Sequence, residues 1–532
     1  MEHSRSKRCI AQMRPLLAFL TLAGLTQTAG AFEIPTGIDD LAVHWDNTIT
    51  AGLGWRAQGI DPVIGNNVTT HQSDYKFPNA GDMWKKRIDV LSEFDVVFRD
   101  NYGFRVSAAG WYDAAYDNHN YGSNPNLFAF RSRTDGFDSY TKRYYNGPSG
   151  ELLDAFAFGN FNPGGHNLSM KVGQYSLVWG VSQVSIGEAL SYGQQPMNFQ
   201  KSAENPGISP KEIALPLPQV SFQADLVPKV SLAGYYQLAW RPNRLSEGGT
   251  YLGAADPLWQ PTAGVPVAPG VTLPISEFEP PSHPGGNYGV QLSLTPEVMG
   301  GGNVSLVYRR FDEKQPWPLL VNDASFSGFH NSFARGVQLF GVSSNFGVGG
   351  ISVGAEMNYT KNGALSSTGI GQDGARGDTW HALLNGMKMF GTTPLWNSSV
   401  LIAELGYTHL VNVNSRPDLF NGEGYACVGG QAAGCATKNT VTGSLIFQPM
   451  WFNVPFDGVN LTGNLVLAGY GIKGTTPNLI GGQLGSYTWG IGVTADIRNR
   501  YKLALQYTGY GARKAQQTTD RGNVILTFST TL

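Results

Sequence analysis

The dominant pattern along the chain is an alternation of hydrophobic and polar residues. In residues 41–56 the odd positions are mostly apolar, whereas His44, Asp46 and Thr48 occupy even positions. Because successive side chains of a β-strand point to opposite faces, this pattern predicts a strand with one apolar and one water-facing side. The pattern repeats in residues 87–99 and returns from Phe104 after a tight turn, which indicates a hairpin.

The alternation predicts about 18 strands, joined by short turns and long loops in turn. Weak strands near 151–177 and 335–345 leave 14 or 16 strands as alternatives. The long connections are expected around residues 57–86, 115–150, 178–218, 242–286, 312–334, 361–378, 411–438, 470–486 and 510–520. Regular alternation of short and long connections is typical of outer-membrane barrels, which have short periplasmic turns and longer extracellular loops. The predicted fold is therefore all-β, a transmembrane antiparallel β-barrel.

The composition agrees with a lipid-facing wall. Of the 532 residues only 14% are charged, against roughly 25% in ordinary soluble domains, and 68 are glycine. No internal stretch reaches the roughly 18 consecutive apolar residues of a membrane helix, so a helical membrane protein is excluded. Abundant aromatic residues and a net charge of −2 argue against disorder.

The two ends of the chain predict its compartment. Four basic residues up to Arg14, an apolar run from Pro15 to Leu25 and the small residues 29–31 predict a signal peptide, residues 1–31, cleaved after Ala31. Residues 32–532 then form a single barrel. The last residues alternate through Phe528 to Leu532, as expected of a terminal strand that the barrel assembly machinery recognises. We therefore expect a protein of the Gram-negative outer membrane, in contact with its lipids.

The mature chain lacks the sequence features of a nucleic-acid-binding site or a metal site. Removing four basic residues and one acid from totals of 37 and 39 leaves 33 Lys and Arg against 38 Asp and Glu, a net charge of about −5. The two remaining cysteines, Cys427 and Cys435, lie close together in a Gly/Ala-rich stretch and predict a local loop disulfide. No further metal ligands lie nearby, and we predict no metal site and no cofactor.

Charged residues cluster on the face of the first hairpin that we expect to line the lumen. Mixed signs a few residues apart predict salt bridges across the lumen, which either brace the barrel or line a polar passage; bracing is favoured. Glu356 and Glu404 are also predicted to face inward, where a buried carboxylate needs a partner. The candidate lumen residues are Arg87, Asp89, Glu93, Asp95, Arg99, Arg105, Asp113, Glu356 and Glu404.

Residues 178–218 interrupt the strand pattern. They are too irregular for a wall strand and too apolar for a freely exposed loop. Two interpretations stay open: a plug-like segment that folds into the lumen as a constriction, or a long packed outer loop. The candidate residues of this segment are Trp179, Asn198, Lys211 and Glu212.

Catalytic motifs do not support an enzyme. The chain has no G-x-S-x-G elbow, H-E-x-x-H helix, P-loop or C-x-x-C pair. Residues 469–474 satisfy G-x-G-x-x-G, but Thr and Pro residues follow instead of a helix, so nucleotide binding is not predicted.

Several motifs resemble a Gram-negative outer-membrane family named for a domain of unknown function, DUF1302. The resemblance rests on Asp46-Asn47-Thr48 to Trp55-Arg56, Gly173-Gln174 with Trp179-Gly180, Lys211 to Pro218, and Tyr235 to Trp240. The family tends to carry an acid after Trp-Gly, where this chain has Val181. The resemblance implies an outer-membrane barrel, often encoded near a periplasmic lipoprotein-sorting-like protein and an inner-membrane permease for hydrophobic substrates.

The first functional hypothesis is an outer-membrane channel that passes hydrophobic or lipid-like compounds, with access controlled by segment 178–218. A general polar-solute porin is the nearest alternative. A structural or surface-adhesion barrel is a third hypothesis, suggested by the long Tyr/Asn/Gly-rich loops, and an outer-membrane enzyme is the fourth.

Overall fold

A computed structural model gives the architecture of the chain. It describes residues 32–66, 72–120, 136–204, 213–253, 265–268, 271–274, 285–322, 327–513 and 518–532. The predicted signal peptide lies outside these residues. The wall strands are β1 Leu41–Arg56, β2 Met83–Phe98, β3 Tyr102–Asp113, β4 Ser149–Phe161, β5 Leu168–Tyr175, β6 Leu217–Val227, β7 Val230–Gln237, β8 Tyr288–Leu294, β9 Asn303–Phe311, β10 Val337–Val348, β11 Ile351–Ala364, β12 Arg376–Phe390, β13 Ser398–Ser415, β14 Asn439–Trp451, β15 Val459–Lys473, β16 Tyr487–Ile497, β17 Tyr501–Gly511 and β18 Asn523–Thr531.

These 18 strands form one closed antiparallel barrel. Each strand pairs with the next along the chain, and β18 pairs with β1 from Thr531 opposite Thr48 to Asn523 opposite Arg56. The two-residue strand Phe32–Glu33 adds to the edge of β1 beside the last strand. The closed sheet confirms the predicted fold class and the strand number of 18.

The outward side chains form an apolar belt. The outer positions of β16 and β17 carry Ile491, Val493, Leu503 and Leu505, all exposed. Aromatic residues lie toward the two rims, as in transmembrane barrels; examples are Phe98, Tyr102, Phe161, Tyr236, Trp380, Tyr407 and Trp489. None of the helices in the described ranges is long and apolar enough to cross a membrane.

Short and long connections alternate around the barrel and define its two ends. The short-turn end carries connections such as residues 99–101, 228–229, 349–350 and 498–500. The long-loop end carries connections 57–82, 114–148, 176–216, 238–287, 312–336, 365–375, 416–438, 474–486 and 512–522. The nine predicted long connections agree with these to within a few residues.

The long loops contain short helices and hairpins. The α-helical turns of the long loops are Pro62–Gly65, Ser139–Thr141 and Phe199–Glu204, and their other helical turns are Gln72–Lys76, Ala114–Tyr116, Lys142–Asn146 and Gly430–Ala433. The helical turns Pro163–Gly165 and Glu297–Met299 lie in short connections. Two-stranded hairpins are formed by Val265–Ala268 with Val271–Leu273 and by Trp317–Asn322 with Ser327–Ser332. Cys427 and Cys435 form a disulfide in loop 416–438, with their Cα atoms 5.6 Å apart.

The long loops pack on one another through several small apolar cores. Trp317 of the second hairpin is fully buried among Leu190, Phe311 and Leu339, and its indole N–H donates to the Leu365 carbonyl at 2.8 Å. A second core joins Trp84 of β2, Tyr251 and Ile525 of β18, with the Trp84 and Tyr251 rings stacked at 4.8 Å. The long-loop end is therefore covered by packed structure.

A buried ion pair holds the seam where the two ends of the sheet meet. Arg56 ends β1 and Asp520 precedes β18; their side chains are 0% and 2% exposed, and Nη2 lies 3.0 Å from Oδ2. The same carboxylate accepts the Asp61 N–H at 3.0 Å. The Arg56 guanidinium also donates to the carbonyls of Gln58 and Phe77, at 2.7 and 2.8 Å. Loop 57–82 is thereby tied to the seam.

We expect Asp520→Asn to destabilise the barrel by about 3–5 kcal/mol, because it removes the counter-charge of two buried guanidinium groups, those of Arg56 and Arg521. Urea unfolding followed by tryptophan fluorescence in detergent measures the change. Asp418→Asn is the matched control, since Asp418 pairs with Arg416 at 3.0 Å but its side chain is 62% exposed. An equal change in both variants would contradict the role of the seam pair.

Candidate functional site: the barrel lumen

The connection between β5 and β6 folds into the barrel. It comprises residues 176–216, here called the inner segment, of which 176–204 and 213–216 are described. β5 already ends at Tyr175, and Leu217 already pairs with it as the first residue of β6, so the segment begins and ends two residues earlier than predicted. The inner segment is the part of the chain that best qualifies as a functional site.

Glu356 of β11 binds the inner segment through its carboxylate. One oxygen accepts the backbone N–H groups of Val181 and Ser182, the latter at 3.1 Å, and the other accepts that of Leu190 at 2.6 Å. Asn358, two residues along the same face, donates to the Glu188 carbonyl at 2.9 Å. One carboxylate thus joins two parts of the segment to the same strand.

Glu404 of β13 binds the next three residues in the same way. Its oxygens accept the N–H groups of Gln183, Val184 and Ser185 at 2.7, 3.1 and 2.5 Å. Asn385 of β12 donates to the Val181 carbonyl at 2.8 Å and to the carboxylate of Glu404 at 3.3 Å. Within the described residues no ion pair involves Glu356 or Glu404; their partners are backbone N–H groups of the segment and, at Glu404, also the Asn385 amide.

These contacts carry the inner segment across the lumen. The segment starts from β5, and Glu404 lies on β13, eight positions further around a wall of 18 strands. That position is nearly opposite the starting point. The backbone at residues 181–190 therefore lies against the inner face of the far wall.

Glycines on the inner wall make room for the segment. Gly354, Asn385 and Glu404 are paired in one register row, and Glu356, Leu383 and Gly406 in the next. A Cβ on Gly354 would lie 2.9 Å from Val181 Cγ2, and a Cβ on Gly406 would lie 3.1 Å from Glu188 Cγ. Each anchoring carboxylate therefore has a glycine two residues away on the same face, where the backbone of the segment approaches closely.

The returning part of the segment is held by buried amides and by a loop. Gln237 of β7 donates to the Gln194 carbonyl at 2.7 Å, and Gln219 of β6 accepts a hydrogen bond from the Gln195 side chain at 3.4 Å. Both side chains are fully buried. Trp179, half-buried, packs edge-on against Tyr235 of β7 with ring centroids 5.0 Å apart.

Loop 312–336 covers this return path. The Tyr192 hydroxyl donates to Glu313 at 2.7 Å, and Lys314 Nζ donates to the Gly193 carbonyl at 2.8 Å. Burial lowers the pKa of Lys314 to about 7, against the opposing effect of the Glu313 charge. Hydrogen bonds from wall strands and from loop 312–336 thus hold the inner segment in place.

A cavity of about 740 Å³ lies between the inner segment and the short-turn end. We call it the vestibule. Its wall residues lie near the starts or ends of β1 to β7 at the short turns, and Leu177 and Trp179 of the inner segment cover it. The charged and titratable residues that line it are His44, Asp46, Asp95, Arg105 and Lys171. Phe156 and Phe158 add aromatic surface.

The predicted charges of the first hairpin pair along the wall instead of across the lumen. Arg87 pairs with Asp89 of its own strand at 2.9 Å, and Arg105 of β3 pairs with Glu93 of β2. The prediction of bridges across the lumen was wrong, because neighbouring side chains on one face are much closer than opposite walls.

Two of the predicted lumen residues, Arg99 and Asp113, lie at the ends of the first hairpin's strands. Arg99 lies in the turn at φ +52°, beyond the end of β2, and its exposed side chain pairs with Asp40 at 3.3 Å. The strand ends before it, so Arg99 does not line the lumen. Asp113 is buried at the other end of β3, where its carboxylate accepts the N–H groups of Lys86 and Ala115 at 2.9 Å. It caps the turn Ala114–Tyr116.

Of the other predicted residues of the segment, the structure describes only Asn198. Asn198 lies at the start of helix Phe199–Glu204, where its side chain accepts the Lys201 N–H at 3.1 Å. Lys211 and Glu212 lie outside the described residues. Gly354, Gly406 and Asn385 were not predicted; the signal that could have found them is a glycine at the same-face neighbour of each inward glutamate.

Closed strand pairing, an apolar outer belt and a segment folded into the lumen define a transmembrane β-barrel of the outer-membrane type. The family model described as "Protein of unknown function (DUF1302)" matches residues 12–532, so the chain belongs to this family. No curated protein matches the sequence. Among the described residues no group of three or more His, Cys, Asp or Glu side chains could hold a metal ion.

Solved structures with a similar architecture are bacterial channels. The outer membrane channel DcaP of Acinetobacter baumannii shares 11% identity at a TM-score of 0.39, covering 95% of this chain and 100% of that one. OccAB4 of the same organism shares 10% at a TM-score of 0.43, covering 92% and 98%. A BenF-like porin from Pseudomonas fluorescens Pf-5 shares 10% at 0.44, with the same coverage. The assignment of the barrel depends on the strand pairing described above.

We expect Gly354→Ala to displace the inner segment and to destabilise the protein by about 1–3 kcal/mol, because the new methyl group meets Val181 and Asn385 in a packed contact. Thermal unfolding and protease sensitivity of the segment measure the two effects. Gly347→Ala on β10 is the matched control, since a Cβ there meets no atom within 4 Å. Equal behaviour of the two variants would show that the segment does not press on Gly354.

Proposed function

We propose that the protein is an outer-membrane channel for small polar solutes, in which the inner segment sets the width of the passage. The observation that carries this proposal is the course of the inner segment, which crosses a closed barrel and is bound to the far wall by Glu356 and Glu404. A segment that narrows the lumen at a fixed place is the structural requirement for selecting solutes by size.

The chemistry of the lumen favours the polar-solute alternative over passage of hydrophobic compounds. The described vestibule is lined by the charged residues Asp46, Asp95, Arg105 and Lys171 and by other polar side chains, beside a comparable number of aromatic and aliphatic side chains. A hydrophobic solute would have to pass these charges without compensating hydrogen bonds, which is costly. Hydrophobic compounds stay the second candidate, because Phe156, Phe158 and Trp179 offer surface to an amphiphile.

The proposal includes location and orientation. With the apolar belt in the outer membrane, the short turns face the periplasm and the long loops face the outside, as in other barrels of this type. The vestibule then opens on the periplasmic side of the inner segment. Assembly by the barrel machinery through β18, and cooperation with a periplasmic lipoprotein-sorting-like protein and an inner-membrane permease, belong to the same proposal.

The experiment is single-channel recording of the purified protein in planar lipid bilayers. The wild type is expected to form channels, and Glu356→Gln/Glu404→Gln is expected to raise their conductance and its fluctuation. Each amide presents an NH₂ group toward backbone N–H donors that the carboxylate accepted, so the segment loses its anchors. Asp457→Asn in the exposed short turn 452–458 is the control and should match the wild type.

Two results would contradict the proposal. A folded wild-type barrel that never conducts would exclude a channel of this kind. Unchanged conductance in the double variant, with protease sensitivity showing that the segment has been released, would show that the segment does not limit the passage. Heat-modifiable migration in gels verifies that each variant has a folded barrel.

A further inference from the structure

The charges around the vestibule are unequal. Three carboxylates converge on the single guanidinium of Arg105: Glu93 in a direct pair, Asp95 at 3.6 Å and Asp154 at 3.8 Å. One positive charge therefore faces three negative ones on neighbouring strands. The surplus is negative before any other residue of the vestibule is considered.

Asp46 adds a fourth carboxylate to this group. It is paired in register with Glu93, and its Oδ1 atom is buried without a hydrogen-bond partner within the described residues. The second cation, Lys171, lies over the Phe156 ring at 4.4 Å from the centroid. Four carboxylates against Arg105 and Lys171 leave a formal charge of −2.

The rest of the described wall includes a buried inward cation, Arg309 of β9, which donates to the Tyr192 carbonyl of the inner segment at 2.5 Å and does not line the vestibule. The inward positions of β16 to β18 at this side of the lumen are small or uncharged, as in Gly492, Gln506 and Thr527. The inward residues Asp496 and Lys502 are paired in register there, and their opposite charges cancel. Glu356 and Glu404 are occupied by the backbone of the inner segment. The negative surplus therefore lies on one side of the passage.

We propose that the vestibule makes the channel selective for cations, including organic amines, over anions. The proposal rests on the proposed channel function and deepens it by naming the solute class. Carboxylates that line a narrow passage with low-dielectric walls raise the local concentration of cations and oppose anions. The aromatic surface of Phe156, Phe158 and Trp179 lies in the same cavity and would favour an amine with an apolar body.

The test is the reversal potential of the purified protein in planar bilayers under asymmetric KCl. The wild type is expected to favour K⁺ over Cl⁻. Asp46→Asn/Glu93→Gln/Asp95→Asn should lower this preference by about twofold for each carboxylate neutralised. Lys171→Gln removes a positive charge and should therefore raise the preference for K⁺ over Cl⁻. This variant tests the proposal independently if the triple variant does not fold.

Glu297→Gln is the matched control, because Glu297 pairs with Lys229 in the short turns, outside the vestibule, and its side chain is 85% exposed. Its selectivity should equal that of the wild type. A conducting wild type with no preference, or with a preference for Cl⁻, would overturn the cation proposal and leave the channel function standing. The absence of any conductance from a folded barrel would instead overturn the channel function.

Discussion

The lumen depends on one interaction, the binding of backbone N–H groups by two carboxylates. The backbone groups of a wall strand pair with the neighbouring strands of the closed sheet, but a segment that crosses the lumen has no neighbouring strand. Glu356 and Glu404 replace that strand by accepting six N–H groups of residues 181–190. Such charge-assisted hydrogen bonds are stronger than neutral ones. They satisfy the segment and the two buried acids together, because the donors compensate for the lost hydration of the carboxylates.

This arrangement imposes conditions on the wall around it. The approach of the segment requires Gly354 and Gly406 beside the acids, and the neighbouring Asn385 satisfies a carbonyl that the carboxylates cannot bind. The wall is also uneven. Strands β5, β7 and β8 have 8, 8 and 7 residues, whereas β12 and β13 have 15 and 18. The inner segment leaves the wall from the short strand β5, and it is anchored on the long strands β11, β12 and β13.

Much of the fold could be predicted from the sequence, because a two-sided wall leaves a period-two pattern in every strand. Strand number, the alternation of turns and loops, and the inward direction of Glu356 and Glu404 all follow from that pattern. The partners of these two acids could not be predicted, because no periodicity records which distant backbone meets a given side chain. The same reason explains the error on the first hairpin: the pattern places Arg105 and Glu93 on one face but does not give the width of the lumen. Arg99 was misplaced because strand ends are set by turn geometry, here a positive φ, which the alternation does not show.

The seam between β1 and β18 has a consequence for synthesis. β1 is made early and β18 last, so one edge of β1 exposes unpaired N–H and C=O groups while the intervening strands are produced. An open edge next to an apolar face is a template for unwanted pairing with other chains. The short strand Phe32–Glu33 can occupy only the beginning of that edge, at Trp45 and His44. The rest is protected only when Asn523–Thr531 arrives and the Arg56–Asp520 pair is buried. The edge of β1 therefore stays open to pairing with other chains until the ring closes.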